Sequence, residues 1–167
     1  KHEAEVLVAT ISDRAHTGRG ECVPYARYGE SVEGVAAAIA ACAQSLAKGL
    51  SREGLIEAMP PGAARNALDC ALWDFEAKRA RRSASDLAGL GPLKPVLTAL
   101  TVSLGTPETM AKRAREAGAH PLLKLKLGAE GDAMRLAAVR EAAPGARLIA
   151  DANEAWRPET LEYLFDA

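Results

Sequence analysis

Three short stretches carry the side chains best suited to chemistry. In Leu122-Leu123-Lys124-Leu125-Lys126-Leu127, two lysines alternate with leucines. Strand side chains alternate faces, so Lys124 and Lys126 are expected to point one way and Leu123, Leu125 and Leu127 the other. A strand of a parallel α/β sheet is ordinarily apolar on both faces. Two lysines at the C-terminal end of such a strand break that pattern, at the end where barrel active sites sit. The pair also suits an edge strand with solvated lysines. In Leu148-Ile149-Ala150-Asp151-Ala152-Asn153, Asp151 and Asn153 share a face, again at the strand's end. Asp151 offers a hard oxygen ligand to a divalent cation, and would equally cap the following loop. Thr101 and Ser103 share a face near the end of an earlier strand. Three successive strands thus bring polar groups to one rim, which is costly in a half-buried sheet unless a site uses them.

The combination has a specific chemistry. Two ammonium groups one strand repeat apart repel, and a nearby divalent cation adds to this. Both effects favour a neutral lysine able to act as a base. A metal beside such a base stabilises the oxyanion formed when a carbon acid loses its proton.

The elements that must hold these groups follow from the pattern. Glu5 to Ser12 is a β-branched run fit for a strand, Arg14 to Gly18 a hairpin turn, and Gly20 to Val23 a second strand. Ser31 caps a helix over Gly34 to Lys48, and Ser51 opens a shorter one that ends before Pro60. A long helix follows from Gly62, with Ala64, Leu68, Ala71, Leu72 and Phe75 at helical spacing and a basic end over Lys78 to Arg82. Ser85 to Leu90 is a helical turn. After Pro95 the pattern changes. Strands over Val96 to Leu104, Leu122 to Leu127 and Arg147 to Asp151 alternate with helices from Thr106, from Asp132 and from Pro158. This is the rhythm of a parallel sheet. The expected division is an α+β region over 1–93 and β/α units over 94–167.

Composition sets the outer bounds. The 167 residues are 49% hydrophobic and 26% charged, with a net charge of −1, which is ordinary for a globular protein. The charges are interspersed, so no basic stripe is offered to nucleic acid or to an anionic membrane. The apolar runs are too short to span a bilayer, and Lys1-His2-Glu3-Ala4 is not followed by the apolar core of a signal peptide. Cys22, Cys42 and Cys70 have no metal-binding spacing, so free and mostly buried thiols in a reducing compartment are expected. His2, His16 and His120 belong to no motif.

Lys124-Leu125-Lys126 followed by Asp151-Ala152-Asn153 resembles the KxK and DxN signatures of the muconate-lactonizing branch of the enolase superfamily. Ala64 to Asp74 is similar to the long helix that ends that family's capping domain. Gly18 to Ser31, with Pro24, Tyr25 and Tyr28, is similar to a loop of its dipeptide epimerases. The resemblance covers essentially the whole chain. It implies an α+β capping domain over 1–93, followed over 94–167 by the first three β/α units of a TIM-type barrel.

The resemblance also implies roles. The activity would be Mg²⁺-dependent epimerisation of a dipeptide of the L-Ala-D/L-Glu type, by α-proton abstraction through an enolate. Lys126 would be the general acid/base, and Lys124 would lower its pKa and help hold the enolate. Asp151 would be the first of three carboxylate ligands to Mg²⁺, with Asn153 supporting the metal site. Thr101 would contact substrate. Tyr25 would stand in a substrate-covering loop or, with Tyr28, pack between domains. Trp73 and Trp156 would pack, and Asp69 and Asp74 would make structural hydrogen bonds. A TIM-type barrel has eight such units. On this reading the first capping strand, the other two metal carboxylates, an opposing lysine and a late acidic motif for the dipeptide amino group lie outside the 167 residues. A cycloisomerase or o-succinylbenzoate synthase shares KxK and DxN, but the Gly18 to Ser31 stretch argues against it. A non-catalytic assembly module is the alternative of another class. The expected partner is a small-molecule dipeptide in the cytoplasm, with room left for a homo-oligomer.

Overall fold

The computed structural model describes residues 3–128 and 130–159. The chain divides into two compact units, Lys1–Leu93 and Lys94–Ala167.

In the first unit, β1 (Leu7–Ser12) and β2 (Thr17–Cys22) form an antiparallel hairpin, paired from Leu7 with Cys22 to Ser12 with Thr17. The turn is built by Asp13, whose Oδ1 accepts from the backbone N–H groups of Ala15 and His16 at 2.8 and 2.6 Å. A short 3-10 turn, Ala26–Tyr28, precedes four helices: α1 (Val32–Ala47), α2 (Arg52–Ala58), α3 (Ala63–Ala80) and α4 (Ala84–Leu87). Ser31 and Ser51 cap α1 and α2 by accepting from Gly34 and Gly54 N–H. Ser83 and Asp86 form a reciprocal capping box on α4. The core gathers Val35, Cys42, Leu55, Ala67, Leu68, Ala71 and Leu72.

The second strand starts earlier than the sequence pattern suggests. Thr17 and Gly18 read as turn residues, yet both lie in β2. Gly18 and Gly20 face α3 so closely that a Cβ on either would collide with the Ala71 or Ala67 carbonyl. Glycine here marks close approach of a helix rather than a turn.

In the second unit, β3 (Leu100–Val102), β4 (Leu122–Lys126) and β5 (Arg147–Asp151) form a parallel sheet in that order, with α5 (Pro107–Glu116) after β3 and α6 (Asp132–Ala142) after β4. Thr106 caps α5, with Pro107 in its first turn. Leu123, Leu125, Leu127 and Val102 pack with Met110, Ala114 and Val139 of the helices. β3 is shorter than the expected Val96 to Leu104. Only Leu100, Thr101 and Val102 have ladder partners, on Leu123, Lys124 and Leu125. The helix expected from Pro158 starts within the described residues, and its remainder lies outside them.

Among the described residues, no helix is long and apolar enough to cross a membrane. Cys22 and Cys42 are buried and Cys70 is exposed, and all three are free.

Candidate active site

Residues in the middle of β4 alternate as the pattern requires: Leu123 and Leu125 are buried, Lys124 and Lys126 half-exposed. Register then selects their neighbours. Thr101 stands opposite Lys124, and Lys126 stands opposite Asp151. The helices cover the leucine face, so the lysines, Thr101 and Asp151 share the other one.

Both lysines converge on one oxygen. Lys124 Nζ lies 2.8 Å and Lys126 Nζ 2.7 Å from Asp151 Oδ2. Lys126 Nζ also donates to Asn153 Oδ1 at 2.9 Å, and the Asn153 backbone N–H donates to Asp151 Oδ1 at 3.1 Å. The Lys124 ammonium first, then that of Lys126 and the Asn153 N–H, hold the Asp151 carboxyl far below the usual carboxylate range. The side chains of Lys124, Lys126 and Asp151 are 37%, 35% and 23% exposed, so the cluster is reachable by a small molecule. Asn153 and Glu154 hold left-handed backbone, at φ 48° and 66°. Such conformations persist only where the surroundings dictate them, and they collect at functional sites.

Tyr25 lies in the first unit, exposed, with its ring edge-on to Tyr28 at 6.2 Å between centroids. The cluster that the second unit assembles is therefore Lys124, Lys126, Asp151 and Asn153, with Thr101 on the same face.

Residues 1–89 match the family described as mandelate racemase / muconate lactonizing enzyme, N-terminal domain. The chain belongs to this family. It is 49% identical over 164 residues to the L-Ala-D/L-Glu epimerase of Escherichia coli K12, covering 96% of this chain and 51% of that protein. An enolase family member from Agrobacterium tumefaciens with homology to dipeptide epimerases, solved with bound sodium and L-Ala-L-Glu, is 52% identical. It superposes with a TM-score of 0.92 over 98% of this chain and 50% of its own. The dipeptide epimerase of Cytophaga hutchinsonii, solved with Mg and D-Ala-L-Val, is 29% identical, with a TM-score of 0.79 over 98% of this chain and 48% of its own. The chain spans about half the length of the curated relatives it matches. These neighbours agree with an α+β capping domain followed by a partial parallel barrel.

The similar dipeptide epimerase of Cytophaga hutchinsonii was solved with Mg bound, so the donor set matters. Asp151 and Asn153 offer carboxylate and amide oxygens, the ligand type Mg²⁺ takes. Among the described residues no group of three or more His, Cys, Asp or Glu comes together to hold a metal. The rim therefore offers oxygen donors without forming a complete cation site among the described residues.

Several residues with structural consequence were not picked out by sequence reasoning. Glu30 bridges two backbone amides, accepting from Ala63 N–H at 2.6 Å and Tyr25 N–H at 3.1 Å. It thereby supplies the cap that Gly62, with no side chain, cannot give α3. Asp132 is a buried carboxylate at the start of α6. No local pattern reveals either, because a decisive partner of each is remote in sequence: Ala63 for Glu30 and Trp156 for Asp132. The tryptophans and Asp74 behave as structural groups. The Arg52 guanidinium stacks 3.5 Å over the Trp73 ring, Trp156 packs against the core of the second unit, and Asp74 accepts from Arg19 N–H and Lys78 Nζ.

Proposed function

We propose that the full-length protein epimerises a dipeptide of the L-Ala-D/L-Glu type by removing its α-proton through an enolate. The observation that carries this reading is the convergence of Lys124 and Lys126 on Asp151 at the C-terminal ends of adjacent parallel strands. Similarity to dipeptide epimerases supports the substrate class.

In this reading the Lys126 amine takes the proton from the substrate's α-carbon. The C–H electron pair moves onto the neighbouring carboxylate as an enolate, and the proton stays on Nζ. Asn153 Oδ1, already 2.9 Å from Lys126 Nζ, orients the amine. Lys124 places positive charge beside the developing enolate, and Thr101, opposite it in the ladder, contacts substrate. Tyr25 would contact substrate, a role supported by the likeness of its loop to dipeptide epimerases. Asp151 would be one ligand of Mg²⁺, whose contribution is electrostatic stabilisation of enolate oxygen. Return of a proton to the other face requires a second acid, which in this reading would stand on a later strand outside these residues. Residues 1–93 would be the capping domain and 94–167 the first three strands of the barrel. Three free cysteines suit a reducing compartment, and the cytoplasm is the proposed location.

The test is α-proton exchange in D₂O with the full-length protein, Mg²⁺ and L-Ala-L-Glu. Deuterium should enter the α-carbon of the glutamate, and K126A should lower the rate at least about 100-fold. Absence of exchange in the unaltered protein removes the epimerase assignment. Full exchange on both stereoisomers by K126A removes the role of Lys126.

A further inference from the structure

Among the described residues, Asp132 is the only buried charged residue, with its side chain 2% exposed. Its bonds reach well beyond its own helix. Oδ2 accepts from the Gly128 backbone N–H at 2.9 Å and from Trp156 Nε1 at 2.8 Å. Oδ1 accepts from the Arg135 guanidinium at 3.0 Å. Arg135 in turn donates through Nε to the Gly105 carbonyl at 2.8 Å and through an Nη to the Glu130 carbonyl at 2.7 Å. Gly105 follows β3, Gly128 follows β4 and Trp156 follows β5. One carboxylate and one guanidinium thus join the loops at the C-terminal ends of three neighbouring strands.

The loops concerned are those that carry the site. Gly128 is two residues past Lys126, and Trp156 three residues past Asn153. Gly128 holds φ +132°, and a Cβ there would stand 3.0 Å from the Ala152 carbonyl oxygen and 3.1 Å from the Ala155 Cβ. The two loops therefore touch at their backbones. The left-handed backbone of Asn153 and Glu154 lies between the end of β5 and the Trp156 anchor. A buried carboxylate is costly unless its partners satisfy it, and of those named here Gly128 and Trp156 come from two loops, while only Arg135 shares its helix.

We propose that Asp132 is a positioning residue. By tying the loops after β4 and β5 together, and through Arg135 the loop after β3, it sets the separation of Lys126 from Asp151 and Asn153. This rests on the assignment of Lys126 and Asp151 to proton transfer. The competing role is a helix cap alone, since an acidic side chain in the first turn stabilises any helix. A cap would not need Trp156 or Gly105.

The experiment uses the full-length protein with D132N and W156F. D132N keeps the side-chain size and removes the charge. W156F keeps an aromatic ring and removes only the N–H that reaches Asp132, so it tests the tie even if D132N folds poorly. Two readouts are taken: kcat and KM for α-proton exchange on L-Ala-L-Glu with Mg²⁺, and amide hydrogen exchange at Gly128, at 152–156 and within α6. Misplacement of a reacting group by about 1 Å costs on the order of 100-fold in rate. D132N is therefore expected to lower kcat between about 10- and 100-fold with KM nearly unchanged, and W156F to lower it several-fold. Amides of 152–156 should lose protection in both, and α6 should keep its own in W156F. Wild-type kcat and wild-type loop protection in either variant overturn the proposal. So does loss of kcat in step with uniform loss of protection, which marks a helix cap alone. If K126A retains exchange, the catalytic assignment fails separately, and the amide data alone decide whether Asp132 ties the loops.

Discussion

Lys126 and Asp151 are register partners on adjacent parallel strands, and their side chains meet at 2.7 Å. Lys124 reaches the same Asp151 oxygen from one repeat earlier on β4, at 2.8 Å. Two cations share one carboxylate oxygen. That oxygen is also what a divalent cation would need, so the ion pairs and a metal compete for Asp151.

Metal addition should therefore release the lysines. In ¹⁵N NMR of the full-length protein, the Nζ resonances of Lys124 and Lys126 are expected to move on saturation with Mg²⁺ and to return with EDTA. D151N should show displaced lysine resonances without metal, and should weaken Mg²⁺ binding by at least about 10-fold. Lysine resonances that ignore saturating Mg²⁺ would separate the cation from Asp151.

Close packing of β2 on α3 makes a second prediction. Gly20 has ordinary backbone, but a Cβ there would collide with the Ala67 carbonyl. Gly20→Ala is expected to destabilise the protein by about 2–3 kcal/mol through overpacking. Gly29, at φ +74° with open space around it, provides the contrast. Gly29→Ala should cost only about 1 kcal/mol, from the left-handed backbone. Urea denaturation of both variants checks the order, and a Gly20→Ala midpoint equal to that of the unaltered protein would contradict the packing.

Glu30 makes the third prediction, and it concerns pH. The Ala63 N–H, and then that of Tyr25, hold its carboxyl below the ordinary glutamate value of 4.5. A lowered folded-state pKa means that the stabilisation is complete above the unfolded value and is lost as pH falls through the folded one. The stability gap between the unaltered protein and Glu30→Gln should therefore be widest near neutrality and close progressively below pH 4.5. Urea midpoints measured between neutral and acid pH supply the check. A gap that stays constant would show that the charge of Glu30 does not matter.

Much of this protein was legible in the amino-acid sequence. Alternation in Leu122 to Leu127 placed both lysines on one face without any partner being known, because strand parity is a local property. Serine caps at 31 and 51 and the glycine and proline stops set most helix boundaries for the same reason, whereas the cap at Ser83 was not read from the sequence. Local signals failed where neighbours decide. Gly18 read as a turn because its sequence does not show that α3 presses on it. Val96 to Ala99 read as strand because strand propensity does not supply a ladder partner.

The sequence by itself determined the side-chain types, their faces and the family. Only the tertiary structure decided that Lys126 pairs with Asp151 rather than with another residue of β5, since register depends on how two separate strands align. Only it showed that Glu30 caps a helix 33 residues away and that Asp132 and Arg135 together gather three loops. Hydrogen bonds between remote segments leave no periodic trace in the chain. They exist because folding brings buried charge to partners that can satisfy it.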